Sequence, residues 1–304
     1  AALAGSTSPA APRSASTTTN TSGAQSTSTI GWSVSRPIRL AGLATGVPTY
    51  KGTNADVARF SDRVLAATVP AGKARAARRI SERIYSQSGI ETRHSPIADF
   101  IQEVPAAFRF FPPTWTLTPV PTTAARMRVY EAESLGLSES VGRAALAAGG
   151  VDPSEVTHLV ISTCTGFFAP GLDVLLIGRL GLPADVQRQQ IGFMGCYASF
   201  TAIRSAEGIA AANPRAVILH LAIELCSIHY QLGYDSDTLI ANALFADGAS
   251  GMLLLGPDAA PRTRGEGPAN SGNGSEEGSA ETTDASGALD RNGTSERQRP
   301  APRV

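Results

Sequence analysis

The cysteine at position 196 stands where a strand-like segment meets a helical one. Residues 190–194 mix β-branched and aromatic side chains with a glycine, whereas residues 198–210 repeat alanine and isoleucine at helical spacing. A thiol at such a junction lies near unpaired backbone N–H groups and the positive end of the helix dipole, which favour the thiolate. Because this effect is worth only about 0.3 to 1 kcal/mol, a nucleophilic cysteine also needs a base or a cation. Cys196 is therefore either a nucleophile or a small buried apolar residue.

Other side chains that could assist such chemistry are few. The sequence has three cysteines and four histidines, at positions 164, 196 and 226 and at positions 94, 158, 220 and 229. An odd number of widely spaced cysteines argues against a disulfide framework or a metal site and indicates a reducing compartment, which we expect to be the cytoplasm. His158 and His220 lie within apolar strand-like segments, where packed side chains are expected.

The elements that must position these residues follow from the apolar pattern. It predicts strands at residues 38–44, 157–162, 187–194, 216–223 and 249–255. It predicts helices starting at Thr53 or Asn54 and running to Val64, at residues 73–83, 124–148 and 171–180, and after Cys196. This alternation predicts an α/β fold whose mixed or parallel sheet is covered by helices on both sides. Ligand chemistry in such sheets gathers where strands end, which is where Cys196 is placed.

A basic face marks the second predicted helix, which contains Lys73, Arg75, Arg78, Arg79 and Arg83. Such a face could bind the phosphates of a nucleotide-like thioester carrier. An ordinary solvated surface has the same pattern and remains the alternative.

Composition limits the domain organisation. The 304 residues have zero formal net charge and are 42% hydrophobic, which allows a substantial core and gives no indication of nucleic-acid binding. Residues 1–34 and 258–304 lack apolar periodicity, so we expect disordered tails around one domain at residues 35–257. An organelle transit peptide is the alternative for the first tail. No run of about 18 apolar residues occurs, and no membrane span is expected.

Four segments, taken in order, resemble a known enzyme family. They are THLVISTCTGFFAPG at 157–171, LGLPADVQRQQIGFMGCYASF at 180–200, AIELCSIHY at 222–230 and NALFADGASGMLLLG at 242–256. Together they resemble the type III polyketide synthases, the chalcone and stilbene synthase group of the thiolase superfamily. The resemblance extends loosely back to Pro37. It implies a thiolase-like layered fold with a mixed sheet covered by helices, of which this chain has only the first of two pseudo-duplicated halves.

The resemblance also implies roles for individual residues. Cys196 matches the nucleophile that takes a starter acyl group from coenzyme A, and Phe245 matches the aromatic gatekeeper between carrier tunnel and cavity. Ala169 matches a loop residue that reaches across a dimer interface, which implies a homodimer. The remaining matches are Thr163 or Cys164, Cys226 and His229 on the cavity wall, and Arg79 and Arg83 near the carrier-binding basic residues. The implied substrates are acyl-CoA and malonyl-CoA, with no cofactor and no metal.

The sequence also departs from the family. Nothing after Gly256 matches the family's histidine, asparagine and GFGPG-type loop, and His229 matches a lining position, so we do not assign it as the base. The leading interpretation is an acyltransferase of the polyketide synthase kind whose second half is missing from this sequence. A catalytically silent half-fold that binds or dimerises is the first alternative. A thiol hydrolase or simple acyltransferase is the second.

Overall fold

The computed structural model describes residues 37–261, in which a mixed sheet lies between helices. The strands are β1 (Arg39–Gly46), β2 (Tyr50–Thr53), β3 (Thr92–Ser95), β4 (His158–Thr163), β5 (Gln187–Gly192), β6 (Val217–Leu225) and β7 (Asp247–Leu255). The α-helices are α1 (Asn54–Thr68), α2 (Ala71–Gln87), α3 (Thr123–Gly149), α4 (Leu172–Leu180), α5 (Ala198–Ala212) and α6 (Ser236–Leu244). The tail predicted at residues 1–34 lies outside the described residues, as does the tail predicted at 258–304 beyond residue 261.

The main sheet has the strand order β1-β7-β6-β4-β5. β4 pairs in parallel with β5 and with β6, whereas β7 pairs antiparallel with β6 and with β1. The mixed sheet predicted from the sequence is therefore confirmed. β2 and β3 form a separate antiparallel pair.

Helices cover both faces of the main sheet. On one face, Val141 of α3 and Leu176 of α4 pack in one cluster with Leu221 of β6. α5 covers the other face through alanines at positions 198, 202 and 206. α3 lies directly on β1 and β7 because glycines leave room for its backbone. A Cβ atom at Gly42 would lie 2.1 Å from the carbonyl oxygen of Ala145. Larger residues there would push the helix off the sheet.

A cluster of aromatic rings fills the end of the molecule beside α1. Its rings pack tilted or edge to face around Phe60 and belong to Phe60, Phe100, Phe108, Phe111, Trp115 and Tyr230. The irregular segment that carries three of these rings is fixed by Asp99, a fully buried carboxylate. Asp99 accepts the backbone N–H groups of residues 109, 110 and 111 at 2.8, 3.0 and 2.8 Å.

The predicted element boundaries are partly confirmed. Thr53 caps α1 in a capping box with Asp56, and the helix continues four residues beyond the predicted end at Val64. β5 ends at Gly192 rather than at residue 194, because Phe193 has a left-handed backbone with φ of 55°. The sequence did not predict β2, β3 or α6.

We expect Asp99→Ala to lower the free energy of unfolding by at least about 3 kcal/mol, because three backbone N–H donors lose a fully buried carboxylate acceptor. Urea unfolding monitored by circular dichroism measures this change. Asp62→Ala is the matched control: Asp62 forms an exposed ion pair with Arg78, and its loss should cost no more than about 1 kcal/mol. Equal losses for the two variants would contradict the role given to Asp99.

His220 should make the fold sensitive to acid. It is fully buried, as predicted, its Nε2 lies 3.0 Å from Ser162 Oγ, and burial lowers its pKa from 6.5 to about 4. Below pH 6.5 His220 binds a proton in the unfolded chain but not in the folded chain, so the free energy of unfolding falls as the pH drops towards 4. We expect wild type to lose up to about 3 kcal/mol more than His220→Gln between pH 7 and 4. Parallel pH curves in urea unfolding would contradict this.

Candidate active site

The sheet topology gathers the reactive residues at one edge. Cys164 and Cys226 directly follow the parallel strands β4 and β6, and Cys196 follows the end of β5. β7 runs in the opposite direction and begins opposite the last residue of β6, so the preceding Phe245 reaches the same edge. Segments far apart in the sequence therefore converge there.

A cavity of about 510 Å³ opens at this edge. Five residues singled out from the sequence contribute to its wall: Cys164, Cys196, Cys226, His229 and Phe245. Most of the remaining wall is apolar or aromatic, with Val57, Ile97, Phe100, Ile101 and Tyr230 among its residues. The aromatic cluster described above thus forms part of the cavity wall. A concave apolar site with a few convergent polar groups is typical of a binding site for a small molecule.

Cys196 lies in the turn between β5 and α5 and is exposed. The preceding Gly195 has φ of 76°, a left-handed conformation that glycine adopts without strain. The first helical residue of α5 is Ala198, and no side chain caps this helix end. The thiol therefore sits just before an uncapped helix N-terminus, a position that favours negative charge.

The loop after β4 packs against the turn that carries Cys196. The N–H group of Gly195 donates a hydrogen bond to Sγ of Cys164 at 3.2 Å. The base of this loop packs closely on Tyr130, because a Cβ atom at Gly166 would lie 2.0 Å from its ring. Cys164 thus supports the backbone immediately before Cys196.

A half-buried carboxylate links this loop to β6. Glu224 accepts hydrogen bonds from the N–H group of Cys164 at 2.8 Å and from the hydroxyl group of Thr165 at 2.7 Å. Burial raises the pKa of Glu224, while these hydrogen bonds and the nearby His229 oppose the rise. Nε2 of His229 donates to the carbonyl oxygen of Thr165 at 2.7 Å, so a neutral imidazole has its unprotonated nitrogen at Nδ1.

Cys226 differs chemically from Cys196. Burial, reinforced by the charges of Asp247 and Glu224, raises the pKa of the Cys226 thiol to about 12. Burial also raises the pKa of Asp247 to about 6, although Asp247 accepts hydrogen bonds from the backbone and hydroxyl group of Ser227. Cys226 therefore remains a thiol at neutral pH and contributes shape rather than reactivity to the wall.

Four residues singled out from the sequence lie away from the cavity wall. Thr163 is buried, and its hydroxyl group accepts a hydrogen bond from Tyr130 at 2.8 Å. Of the two alternatives Thr163 and Cys164, only Cys164 lines the cavity. Ala169 is exposed on the loop after β4. Arg79 and Arg83 are exposed on α2, which packs against α6, the helix that ends just before Phe245.

Sequence reasoning missed the charged groups of the cavity. Arg93, on β3, and Glu224 and Asp247, at the ends of β6 and β7, all lie at or beside its wall. A signal was available for Glu224, since a lone carboxylate within the apolar run AIELC is unusual in a buried strand. Arg93 lies in a polar segment, GIETRH, where a charged residue is ordinary and gives no signal of a functional site.

Within residues 37–261 no three His, Cys, Asp or Glu side chains lie close enough together to hold a metal ion. No helix in that part of the chain is long and apolar enough to cross a membrane.

Comparison with known proteins identifies the class of protein that has this fold and site. Residues 37–259 match the family model "Chalcone and stilbene synthases, N-terminal domain", and the chain belongs to that family of type III polyketide synthases.

Individual relatives agree with the family match. The chain is 31% identical over 215 residues to an alpha-pyrone synthesis polyketide synthase-like protein, Pks18, of Mycobacterium tuberculosis, covering 71% of this chain and 51% of the relative. It is 30% identical to crystalline PKS-I of the brown alga Ectocarpus siliculosus, with a TM-score of 0.64 and coverage of 72% and 56%. CsyB, solved with CoA-SH, shares the fold at 20% identity, with a TM-score of 0.61 and coverage of 75% and 58%. The chain thus spans about half the length of the relatives it matches.

We expect the cysteines to differ in alkylation. At pH 8, Cys226 should react with iodoacetamide at least about 100-fold more slowly than a cysteine in an unstructured peptide, because its raised pKa leaves almost no thiolate. The exposed Cys196 should be labelled first. Peptide mass spectrometry of quenched time points gives the rates, and labelling in urea, where all three thiols should react alike, is the control. Equal rates for Cys226 and Cys196 in the folded chain would contradict the environment assigned to Cys226.

Proposed function

We propose that this chain is an acyltransferase of the type III polyketide synthase kind, with Cys196 as the residue that accepts the acyl group. The observation that carries the proposal is the exposed thiol of Cys196 at the mouth of an apolar cavity, before an uncapped helix end. In this proposal the thiolate attacks the carbonyl carbon of an acyl-CoA thioester. The bond between that carbon and the CoA sulfur then breaks, and CoA leaves as a thiol after taking up a proton.

The second step of the proposed reaction is extension by malonyl-CoA. Loss of carbon dioxide from the malonyl group leaves an enolate carbon, which attacks the acyl carbonyl on Cys196 and releases the cysteine thiolate. An enolate needs positioned hydrogen-bond donors, which can lower the barrier by about 3 to 4 kcal/mol each. The chain spans about half the length of its relatives, so its own residues support loading more strongly than extension.

The proposed substrate path runs past Phe245. This ring is exposed and lies on the cavity wall, where it can narrow the passage between a CoA-binding surface and the cavity. Arg79 and Arg83 are proposed to contact the phosphates of CoA, since their helix packs against α6, which leads to Phe245. The CoA-SH in the structure of CsyB supports a CoA thioester as the substrate class.

A homodimer is part of the same proposal. Large apolar side chains are exposed beside the loop that carries Ala169, namely Phe167, Phe193, Met194, Tyr197 and Phe200. The rings of Phe167 and Phe193 lie 6.3 Å apart, so the patch is continuous across two loops. Apolar patches of this kind mark protein interfaces, and a second copy would bring its Ala169 towards the neighbouring cavity.

A silent binding module remains the second candidate function. Leucines 40 and 43 are more than half exposed on β1, an edge strand, and such a surface suits a binding partner. In this case Cys196 would accept no acyl group.

The test is acyl loading of the 304-residue chain. After incubation with hexanoyl-CoA, intact-protein mass spectrometry should show one hexanoyl group on Cys196 that neutral hydroxylamine removes, as expected for a thioester. Cys196→Ser should abolish this hydroxylamine-sensitive adduct. No adduct, or loading on Cys164 or Cys226, would contradict the proposal, and no loading together with slow alkylation of Cys196 would favour the silent module.

The same experiment with malonyl-CoA separates the two steps. We expect this chain alone to load the starter group but to condense malonyl-CoA poorly or not at all, because no residue after Gly256 matches the family's histidine, asparagine or glycine-rich loop. Mass spectrometry of small-molecule products measures the outcome. Full turnover would contradict this expectation, whereas steady release of hexanoic acid without malonyl consumption would indicate a thiol hydrolase.

A further inference from the structure

We propose that Arg93 is a positioning residue, which fixes the segment carrying Phe245 and thereby sets how acyl-CoA reaches Cys196. The inference rests on the proposed function, because it takes Phe245 as the residue that narrows the passage to the cavity. Neither the sequence pattern nor the family resemblance assigned a role to Arg93.

The side chain of Arg93 spans three elements. It leaves β3 at the cavity wall, and the residue is only 6% exposed. Its Nη1 donates to the carbonyl oxygen of Phe245 at 3.1 Å, and its Nε donates to Oδ1 of Asn54 at 3.3 Å. Its guanidinium carbon lies 5.7 Å from the centre of the Tyr85 ring, within range of a cation–π contact. The planar guanidinium group thus contacts three elements: the segment that precedes β7, the start of α1, and the Tyr85 ring of α2.

Among the residues that the structure describes, the charge of Arg93 has no partner of opposite sign. Within residues 37–261 no carboxylate lies at ion-pair distance from it, and its Nη2 is buried without a hydrogen-bond partner. Burial accordingly lowers the pKa of Arg93. A buried cation without a counterion is costly, so an ion pair does not explain this residue. Its two hydrogen bonds to neutral acceptors on different elements point to a geometric role.

The network continues from Arg93 to the helix proposed to bind CoA. Nδ2 of Asn54 donates to the carbonyl oxygen of Tyr85 at 2.8 Å, near the end of α2. Tyr85 in turn donates from its hydroxyl group to the carbonyl oxygen of Asn242 at 3.3 Å, three residues before Phe245. Hydrogen bonds therefore connect α1, α2, β3 and the end of α6. Within this network, Arg93 makes the bond that reaches Phe245.

Lysine can replace this arrangement only in part. Its single ammonium group lacks the fork that lets a guanidinium meet two separate acceptors in one plane, and glutamine is too short to reach both. Loss of the hydrogen bond from Arg93 leaves the carbonyl group of Phe245 without this donor, while the thiol of Cys196 stays exposed. Small reagents should then be unaffected, whereas a bulky CoA thioester that must pass Phe245 should bind less well.

The test compares two reagents on the 304-residue chain. For Arg93→Gln we expect the hexanoyl-CoA concentration that gives half-maximal loading of Cys196 to rise about tenfold, as loss of one hydrogen bond to a charged group implies. The rate with iodoacetamide should stay within about twofold of wild type, since that reagent is small and Cys196 is exposed. Arg93→Lys should be intermediate. Arg128→Gln, the same change at an exposed position of α3 outside the cavity wall, is the matched control.

Two outcomes would overturn the inference. One is an unchanged half-maximal concentration in Arg93→Gln. The other is an equal fall in the loading of Cys196 and in its rate of alkylation, which would indicate a general loss of structure rather than a displacement of Phe245.

A second measurement separates this inference from the proposed function. With 4-fluorophenylalanine placed at position 245, the ¹⁹F resonance should shift or broaden in Arg93→Gln and remain unchanged in Arg128→Gln. If wild type is not loaded at all, the proposed function fails, yet the resonance still reports whether Arg93 fixes Phe245. An identical resonance in wild type and Arg93→Gln would overturn the positioning role even where loading succeeds.

Discussion

β4 is hydrogen-bonded in parallel to β5 on one side and to β6 on the other, so the carboxyl ends of all three strands lie at the same edge of the sheet. Cys164, Cys196 and Cys226 follow these ends, and the antiparallel β7 brings Phe245 to the same edge from the opposite direction. The strands hold this register because β4 is buried along its whole length and β6 almost so. A slip of one residue would exchange the side chains that face the two helix layers and would move the three cysteines out of line with one another.

Three cysteines at one cavity do not form three equivalent sites. Burial and the charges of Asp247 and Glu224 keep the proton on Cys226, whereas Cys164 accepts a backbone hydrogen bond from the residue before Cys196. Cys196 alone combines exposure with a place beside an uncapped helix end. The differences arise from burial and from neighbouring charge, which act over a few ångströms and which residue type alone does not encode.

The sequence predicted those parts of the fold that apolar patterning determines. β4, β6, α3 and the cap at Thr53 appear where expected, because long apolar runs and capping residues act locally. β2 and β3 were missed because YKGT and TRHS are short and polar, and they are strands only because they pair with each other. The hydrogen bond that draws Thr163 to Tyr130, and the reach of Arg93 to Phe245, join residues 33 and 152 positions apart. No local pattern specifies such contacts, so the family resemblance gave the cavity residues more completely than periodicity did.

Gly166 divides the loop after β4 into two parts with different freedom to vary. Any side chain at this position would overlap the ring of Tyr130, whereas Phe167 and Ala169, further along the loop, are exposed. Natural variation and laboratory libraries should therefore concentrate in the tip of the loop and leave its base untouched. Substitutions in the tip can alter which surface the loop contacts, while the base of the same loop supports the turn that carries Cys196.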